Sequence, residues 1–229
     1  MGNEPRPKIP RDLFIVDEAV RGEYYYIEAQ DTCFYIWERI SHLWSSGQRP
    51  DYTQYPVNQL ISNLQILPSF KTSYPQRHYW KELAIKYAAG ALASLIPEEW
   101  RQLNPTFVPV PPSKPTNDPE YDARLLTTLK TVRPKLKDIR PLIVLNGEGF
   151  DSKQKGLHPS DRAQHYSIDE DFADPEPEII ILFDDILTTG CHFKAMEIVL
   201  KERFPDAAIY RLFLARTVRP TEDDDTFAF

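Results

Sequence analysis

The run Ile179-Ile180-Ile181-Leu182-Phe183 constrains the fold more than any other part of the chain. Five apolar residues in a row leave no polar face. Such a run suits a strand buried on both sides, as in the interior of a parallel sheet. Around it, apolar patterns of two kinds take turns. Residues 77–96 place Trp80, Leu83, Ala84, Tyr87, Ala88, Ala91, Leu92 and Leu95 at three- and four-residue spacing, a helix that Pro97 ends. Thr106 to Val110 reads as a strand, Tyr121 to Val132 as a helix closed by Pro134, and Leu142 to Leu145 as a further buried strand. Phe193 to Arg203 reads as a helix and Ala208 to Leu214 as a last strand. Strands alternating with helices from about residue 78 to 216 predict an α/β domain with a parallel sheet flanked by helices.

The first third reads differently. Residues 1–12 are rich in proline and charge, and Leu13 to Trp44 is dense in aromatics. Tyr24-Tyr25-Tyr26-Ile27 predicts a strand. Phe34, Ile36, Trp37, Ile40 and Leu43 fall near helical spacing, so Thr32 to Leu43 predicts a helix. Residues 45–58 predict a loop, and Leu60 to Leu67 a buried element that Pro68 stops. The expected division is an aromatic-rich extension or hood over 1–76, an α/β core over 77–217 and an acidic tail over 218–229. Asn146 to Phe172 is polar, with Gly147, Gly149, Gly156 and Pro159, and residues 147–170 predict a lid.

Charge and cysteine usage narrow the function. The formal charge is −7 and the isoelectric point near 5.3, which excludes a general binder of nucleic-acid backbones. No stretch approaches the ~20 apolar residues of a membrane span, and Met1 to Pro7 shows no secretory signal. The two cysteines, Cys33 and Cys191, have no CxxC spacing. A reducing, cytoplasmic setting is therefore expected.

The chemistry is concentrated where the apolar run ends. Asp184-Asp185-Ile186-Leu187-Thr188-Thr189-Gly190-Cys191 places two acids, two hydroxyls and a glycine at the end of a predicted strand and the start of a predicted helix. Ligands of open parallel sheets gather at the carboxyl ends of strands. A helix start offers backbone N–H groups to an anion, Thr188 and Thr189 add hydroxyl donors, and Gly190 permits close backbone approach. Donors for a phosphate beside acceptors for a diol describe a ribose 5-phosphate. Helix capping alone is the plainer alternative. The two acids are expected to be exposed and to contribute nothing to the core. A Walker loop and a GxGxxG fingerprint are both absent.

This stretch resembles the phosphoribosyl-pyrophosphate motif of type I phosphoribosyltransferases: an apolar run, two acids, two apolar residues and Thr-Thr-Gly. The resemblance implies that Asp184 and Asp185 hold the ribose hydroxyls and that Leu187, Thr188, Thr189, Gly190, Cys191 and His192 wrap the 5-phosphate. Mg²⁺ would be carried by the diphosphate and ribose of the ligand, with no separate protein metal site. Phe107-Val108-Pro109-Val110-Pro111, the helix Ile85 to Gly90 and Ser160 to His165 look like the competence-protein ComF branch of that family, over roughly residues 78–217. The chain lacks that branch's zinc-binding cysteines, and Ser113-Lys114 stands where Arg-Gly is usual.

Cations for the diphosphate are sought at Lys114, Arg124, Lys153, Lys155 and Arg162, with Ser113 beside them. Lys114 and Arg162, with Asp184 and Asp185, are the candidate catalytic residues. His158 is a candidate acid or base, and Cys191 reads as a small packing residue. Two functions follow. One is an enzyme of nucleotide metabolism, transferring a phosphoribosyl group to an unidentified nitrogenous acceptor with release of pyrophosphate. The other is a non-catalytic module that binds a ribose-5-phosphate nucleotide and signals to a protein partner. The N-terminal region is the expected contact for such a partner or for a homodimer.

Overall fold

The computed structural model describes residues 6–41, 55–132, 135–147 and 157–219. The expected lid segment 148–156, with Lys153 and Lys155, and residues 220–229 of the expected acidic tail lie outside the described residues. A six-stranded, mostly parallel sheet forms the centre, in the order β1-β2-β8-β7-β3-β4. Its strands are β1 (Phe14–Ile15), β2 (Cys33–Ile40), β3 (Thr106–Pro109), β4 (Asp138–Ile139), β7 (Ile179–Leu187) and β8 (Ala208–Val218). Only β1 runs antiparallel, against β2. The apolar run lies in β7, between β8 and β3, where Ile180 to Phe183 are buried on both faces as the absence of a polar side requires.

Helices flank this sheet. One packed group comprises α2 (Pro56–Leu64), α4 (Pro75–Leu95) and α6 (Arg124–Val132). Another is α7 (Pro159–Ala163) against α8 (Cys191–Arg203). Short helices α1 (Glu18–Arg21), α3 (Phe70–Ser73) and α5 (Glu98–Leu103) fill connections. The α4 face predicted from spacing is the one that packs: Ala84, Ala88, Ala91, Leu92 and Leu95 are buried. Small alanines on that face let the neighbouring helices approach closely. Among the described residues no helix is long and apolar enough to cross a membrane.

Several expectations fail, each for a physical reason. Tyr24 to Ile27 is a pair of turns, in which the Tyr24 amide donates to the Arg21 carbonyl and the Ile27 amide to the Tyr24 carbonyl. Its aromatic composition favours a strand, but the next free amide, Tyr26 N, donates to Thr189 O at 3.0 Å instead of to a ladder. Cys33 to Ile40 is strand β2, not a helix. It pairs in parallel with β8 from Cys33↔Arg211 to Ile40↔Val218. Cys33, Tyr35, Ile36, Trp37 and Ile40 are all buried, and an interior strand shows no alternation to betray it. The expected extension thus supplies a strand to the central sheet. Leu142 to Leu145 yields β5 (Ile143–Leu145), which pairs antiparallel with β6 (Tyr166–Ile168) in a separate ribbon. The described part of the expected lid is not structureless: it holds α7, β6 and a 3-10 turn at Glu170–Phe172.

Because β2 covers the side of β8, removing it would expose a long unpaired strand. A chain beginning at residue 42 is expected to lose cooperative thermal unfolding by circular dichroism. Ile36→Ala in the full chain is expected to cost about 2–5 kcal/mol in denaturant titration.

Candidate functional site

The nine residues of β7 carry the chain beyond the apolar run, so both acids sit within the strand and not on a loop. Asp184 is 9 % exposed and Asp185 5 % exposed. The expectation that they are exposed and outside the core is therefore corrected: the strand continues to Leu187, and its neighbours close over them. After β7, Thr188-Thr189-Gly190 turns into α8. Gly190 is the N-cap, with φ +83, in the left-handed region that favours glycine. A Cβ there would lie 2.8 Å from Ile27 Cδ1 and 2.9 Å from Phe193 Cε1. The turn is thus pressed against the Tyr24–Ile27 segment, and the Tyr26 amide bonds to Thr189 O across the contact. Gly190 offers no capping side chain to the first turn of α8.

The two acids have different surroundings. Asp185 Oδ2 accepts from Arg124 Nε at 3.0 Å, Arg124 Nη2 at 2.8 Å and Gln65 Nε2 at 3.0 Å. Burial alone would raise its carboxyl, but the Arg124 guanidinium and the Gln65 amide outweigh burial and hold it below the ordinary value. Asp184 accepts the Asp185 amide through Oδ1 at 2.8 Å. Burial, then the Asp185 charge beside it, push the Asp184 carboxyl well above the ordinary 3.8. The contacts of Asp185 thus favour its charged form, and the surroundings of Asp184 disfavour its charged form.

A cavity of about 410 Å³ opens at this strand end, in the size range of small-molecule sites. Asp184, Leu187, Thr188, Thr189, Gly190, Cys191, His192 and Arg162 line it, together with Tyr25 and Tyr26. Arg162 Nη1 meets His192 Nε2. His192 is exposed to the cavity, yet crowding of its ring by the surrounding atoms and the guanidinium beside it push it down to about 4, so the ring is neutral at pH 7. The Cys191 thiol donates to Leu157 O at 3.2 Å, and burial lifts its pKa despite Arg162 nearby. It packs; it is no activated nucleophile. Among the described residues, no group of three or more His, Cys, Asp or Glu side chains is placed to hold a metal ion.

Not every predicted residue comes to this cavity. Asp185 and Arg124 engage each other behind it. Lys114 lines a different cavity and lies 3.8 Å from Asp118, while Ser113 is exposed on the same connection. His158 caps α7, accepting the Ser160 amide, and its ring meets the edge of Tyr26. Tyr25 and Tyr26 are the residues sequence reasoning did not assign. Tyr25, 85 % exposed at the cavity wall, packs edge-to-face on Tyr26. A run of three tyrosines beside a glycine was the available signal. Neither any family model nor any curated protein sequence matches the chain.

Two outcomes separate the acids. With its pKa raised, Asp184 favours the folded state fully only below about pH 3.8 and loses that contribution as pH rises through its folded value. Asp184→Asn is expected to raise the melting temperature at pH 7 by a few degrees, with the gain vanishing near pH 4. Asp185→Asn leaves part of Arg124 unmatched and is expected to cost about 3 kcal/mol in urea titration. Gly190→Ala must hold both the left-handed backbone and the Ile27 contact. It is expected to cost about 2 kcal/mol, read by the same titration.

Proposed function

We propose that the cavity at the end of β7 binds a ribose 5-phosphate compound, with 5-phosphoribosyl pyrophosphate and Mg²⁺ as the ligand, and that the sheet is of the type I phosphoribosyltransferase kind. The observation that carries this reading is one wall holding both kinds of group: the start of α8, where Gly190 has no capping side chain and the Cys191 amide donates to Thr189 Oγ1 at 3.3 Å, with Thr188 beside it, and the Asp184 carboxyl. The first-turn amides and hydroxyls suit a 5-phosphate. Asp184 accepts ribose hydroxyls, and Asp185 fixes the strand end through Arg124. Arg162 adds positive charge towards the diphosphate. Mg²⁺, when bound with the ligand, neutralises charge on the departing diphosphate. It would be held by the ligand, with Asp184 as the carboxyl that the cavity wall offers it. The reaction is transfer of the phosphoribosyl group to a nitrogenous acceptor, with pyrophosphate leaving.

The placement of the cations favours a second reading. Arg124 is committed to Asp185 and Asp122, Lys114 lines another cavity, and Arg162 is the cation in the wall among the described residues. A site with this much phosphate recognition and little charge for a leaving diphosphate also suits a module that binds a ribose-5-phosphate nucleotide and signals to a protein partner.

Thermal unfolding with phosphoribosyl pyrophosphate and Mg²⁺ tests the shared premise. Ligand at 100-fold excess over Kd is expected to add about 2.7 kcal/mol of stability. Asp184→Asn is expected to abolish that gain. No shift at millimolar ligand would reject both readings. Pyrophosphate release with a panel of nitrogenous acceptors, lost in Arg162→Ala, selects the enzyme; ligand binding without release selects the module.

A further inference from the structure

A second cavity, of about 250 Å³, lies beside the first strand of the core and shares no lining residue with the site above. It sits at the carboxyl end of β3, where the chain runs Pro109-Val110-Pro111-Pro112, and reaches the start of α6 and the β5 ribbon. The register Pro109↔Phe183 and the bond from Val110 N to Phe183 O at 2.9 Å place it one strand away from Asp184. This is the edge of a parallel sheet at which ligands collect.

Its walls are apolar and stiff. Leu125, Leu126, Ile143 and Phe172 contribute the bulk, and prolines supply much of the rest. Proline rings fix φ, so this wall loses little entropy when something binds against it. The polar groups are few and of unequal availability. Asp122 Oδ2 already accepts from Lys81 at 2.7 Å and from Arg124 at 3.0 Å. Asp169 accepts the Asp171 amide. Lys114 is 44 % exposed, and its contact with Asp118 is a long 3.8 Å. Thr116 and Tyr121 add hydroxyls to the lining, and Lys114 is the one cation among its residues. Two carboxylates in the lining disfavour a multiply charged anion.

We propose that this cavity is a binding site for a small, ring-sized, largely apolar compound bearing a single carboxylate, with the ring against Leu125, Ile143 and Phe172 and the carboxylate at Lys114. A preformed apolar cavity with one well-placed polar group is the usual form of a small-molecule site. The proposal is independent of the ribose-phosphate reading. It gives Lys114 a role other than the diphosphate contact expected from the sequence.

The probe is 4-fluorobenzoate, observed by fluorine NMR with the full chain. Saturable line broadening is expected at millimolar probe. Lys114→Ala is expected to weaken binding about three- to fivefold, since the ammonium is partly solvated. Val144→Phe and Leu126→Phe, which fill the cavity, are each expected to abolish it; if one fails to fold, the other reads. Neutral 4-fluorobenzyl alcohol is expected to bind more weakly than the carboxylate. Absence of saturable binding, binding that survives the filling substitutions, or displacement of the probe by pyrophosphate would each overturn the proposal. Ribose 5-phosphate titrated into Val144→Phe reports on the first cavity alone.

Discussion

The chain of buried and half-buried charges Lys81–Asp122–Arg124–Asp185 ties the helices to the end of the sheet that carries the candidate site. Lys81, from α4, donates to the carbonyls of Leu64 and Ile66 at the end of α2 and to Asp122. Asp122 and Asp185 then share Arg124 at the start of α6. Four elements meet through one alternating line of positive and negative groups. Buried charges are tolerated only when paired in this way. The line is neutral as it stands, two cations against two anions. Asp184 is a fifth group in the same region, with no cation left for it inside the line. Its pKa is raised first by burial and then by the Asp185 charge beside it, against the opposing pull of the Asp185 amide and Arg124.

Two further ion clusters hold the N-terminal segment in place. Buried Arg211 on β8 meets Asp31 and Glu197, and Lys194 on α8 meets Glu28, Asp31 and Glu197. Arg216 meets Glu23 and Glu38, and its Nη1 donates to the Tyr24 hydroxyl at 3.3 Å. These contacts fix residues 23–31 against α8 and β8. Tyr25 and Tyr26 thereby stand at the cavity wall. An aromatic segment that looked in the sequence like a separate covering layer is bonded into the sheet on one side and borders the candidate site on the other.

The sequence disclosed those parts of the fold where one kind of pattern dominates. The β7 run is apolar throughout, and α4 repeats alanine and leucine at helical spacing, so both read correctly. The acid pair and the Thr-Thr-Gly turn were visible because their residue types carry chemistry. β2 was misread because Phe34, Ile36, Trp37 and Ile40 fit a helical period as well as a doubly buried strand. The strand partner that decides between them lies some 180 residues away, as in the pairing of Cys33 with Arg211. The differing roles of Asp184 and Asp185 were hidden for a similar reason. Adjacent identical residues become distinct only when Arg124 and Gln65, distant in sequence, take one and leave the other.

Two local departures from good folding practice fall within seven residues of each other. Asp184 keeps an ionisable group beside a like charge, and Gly190 accepts a left-handed backbone under close contact from Ile27. Elsewhere the apolar strands are buried and small residues stand where helices meet, while a few buried atoms such as Arg211 Nε and Thr217 Oγ1 lack a hydrogen-bond partner. Departures of this kind are tolerated where a function compensates for them. A cation or hydrogen-bond donor reaching Asp184 would relieve the first departure. An anion at the start of α8 would use the backbone geometry the second one creates. A ribose 5-phosphate, the ligand proposed above, carries both kinds of group a few bonds apart on one molecule. The second cavity offers a different set of groups: its Asp122 is already matched through Arg124 and Lys81, Asp169 accepts the Asp171 amide, and what else lines it is mostly apolar surface with Lys114 as its one cation.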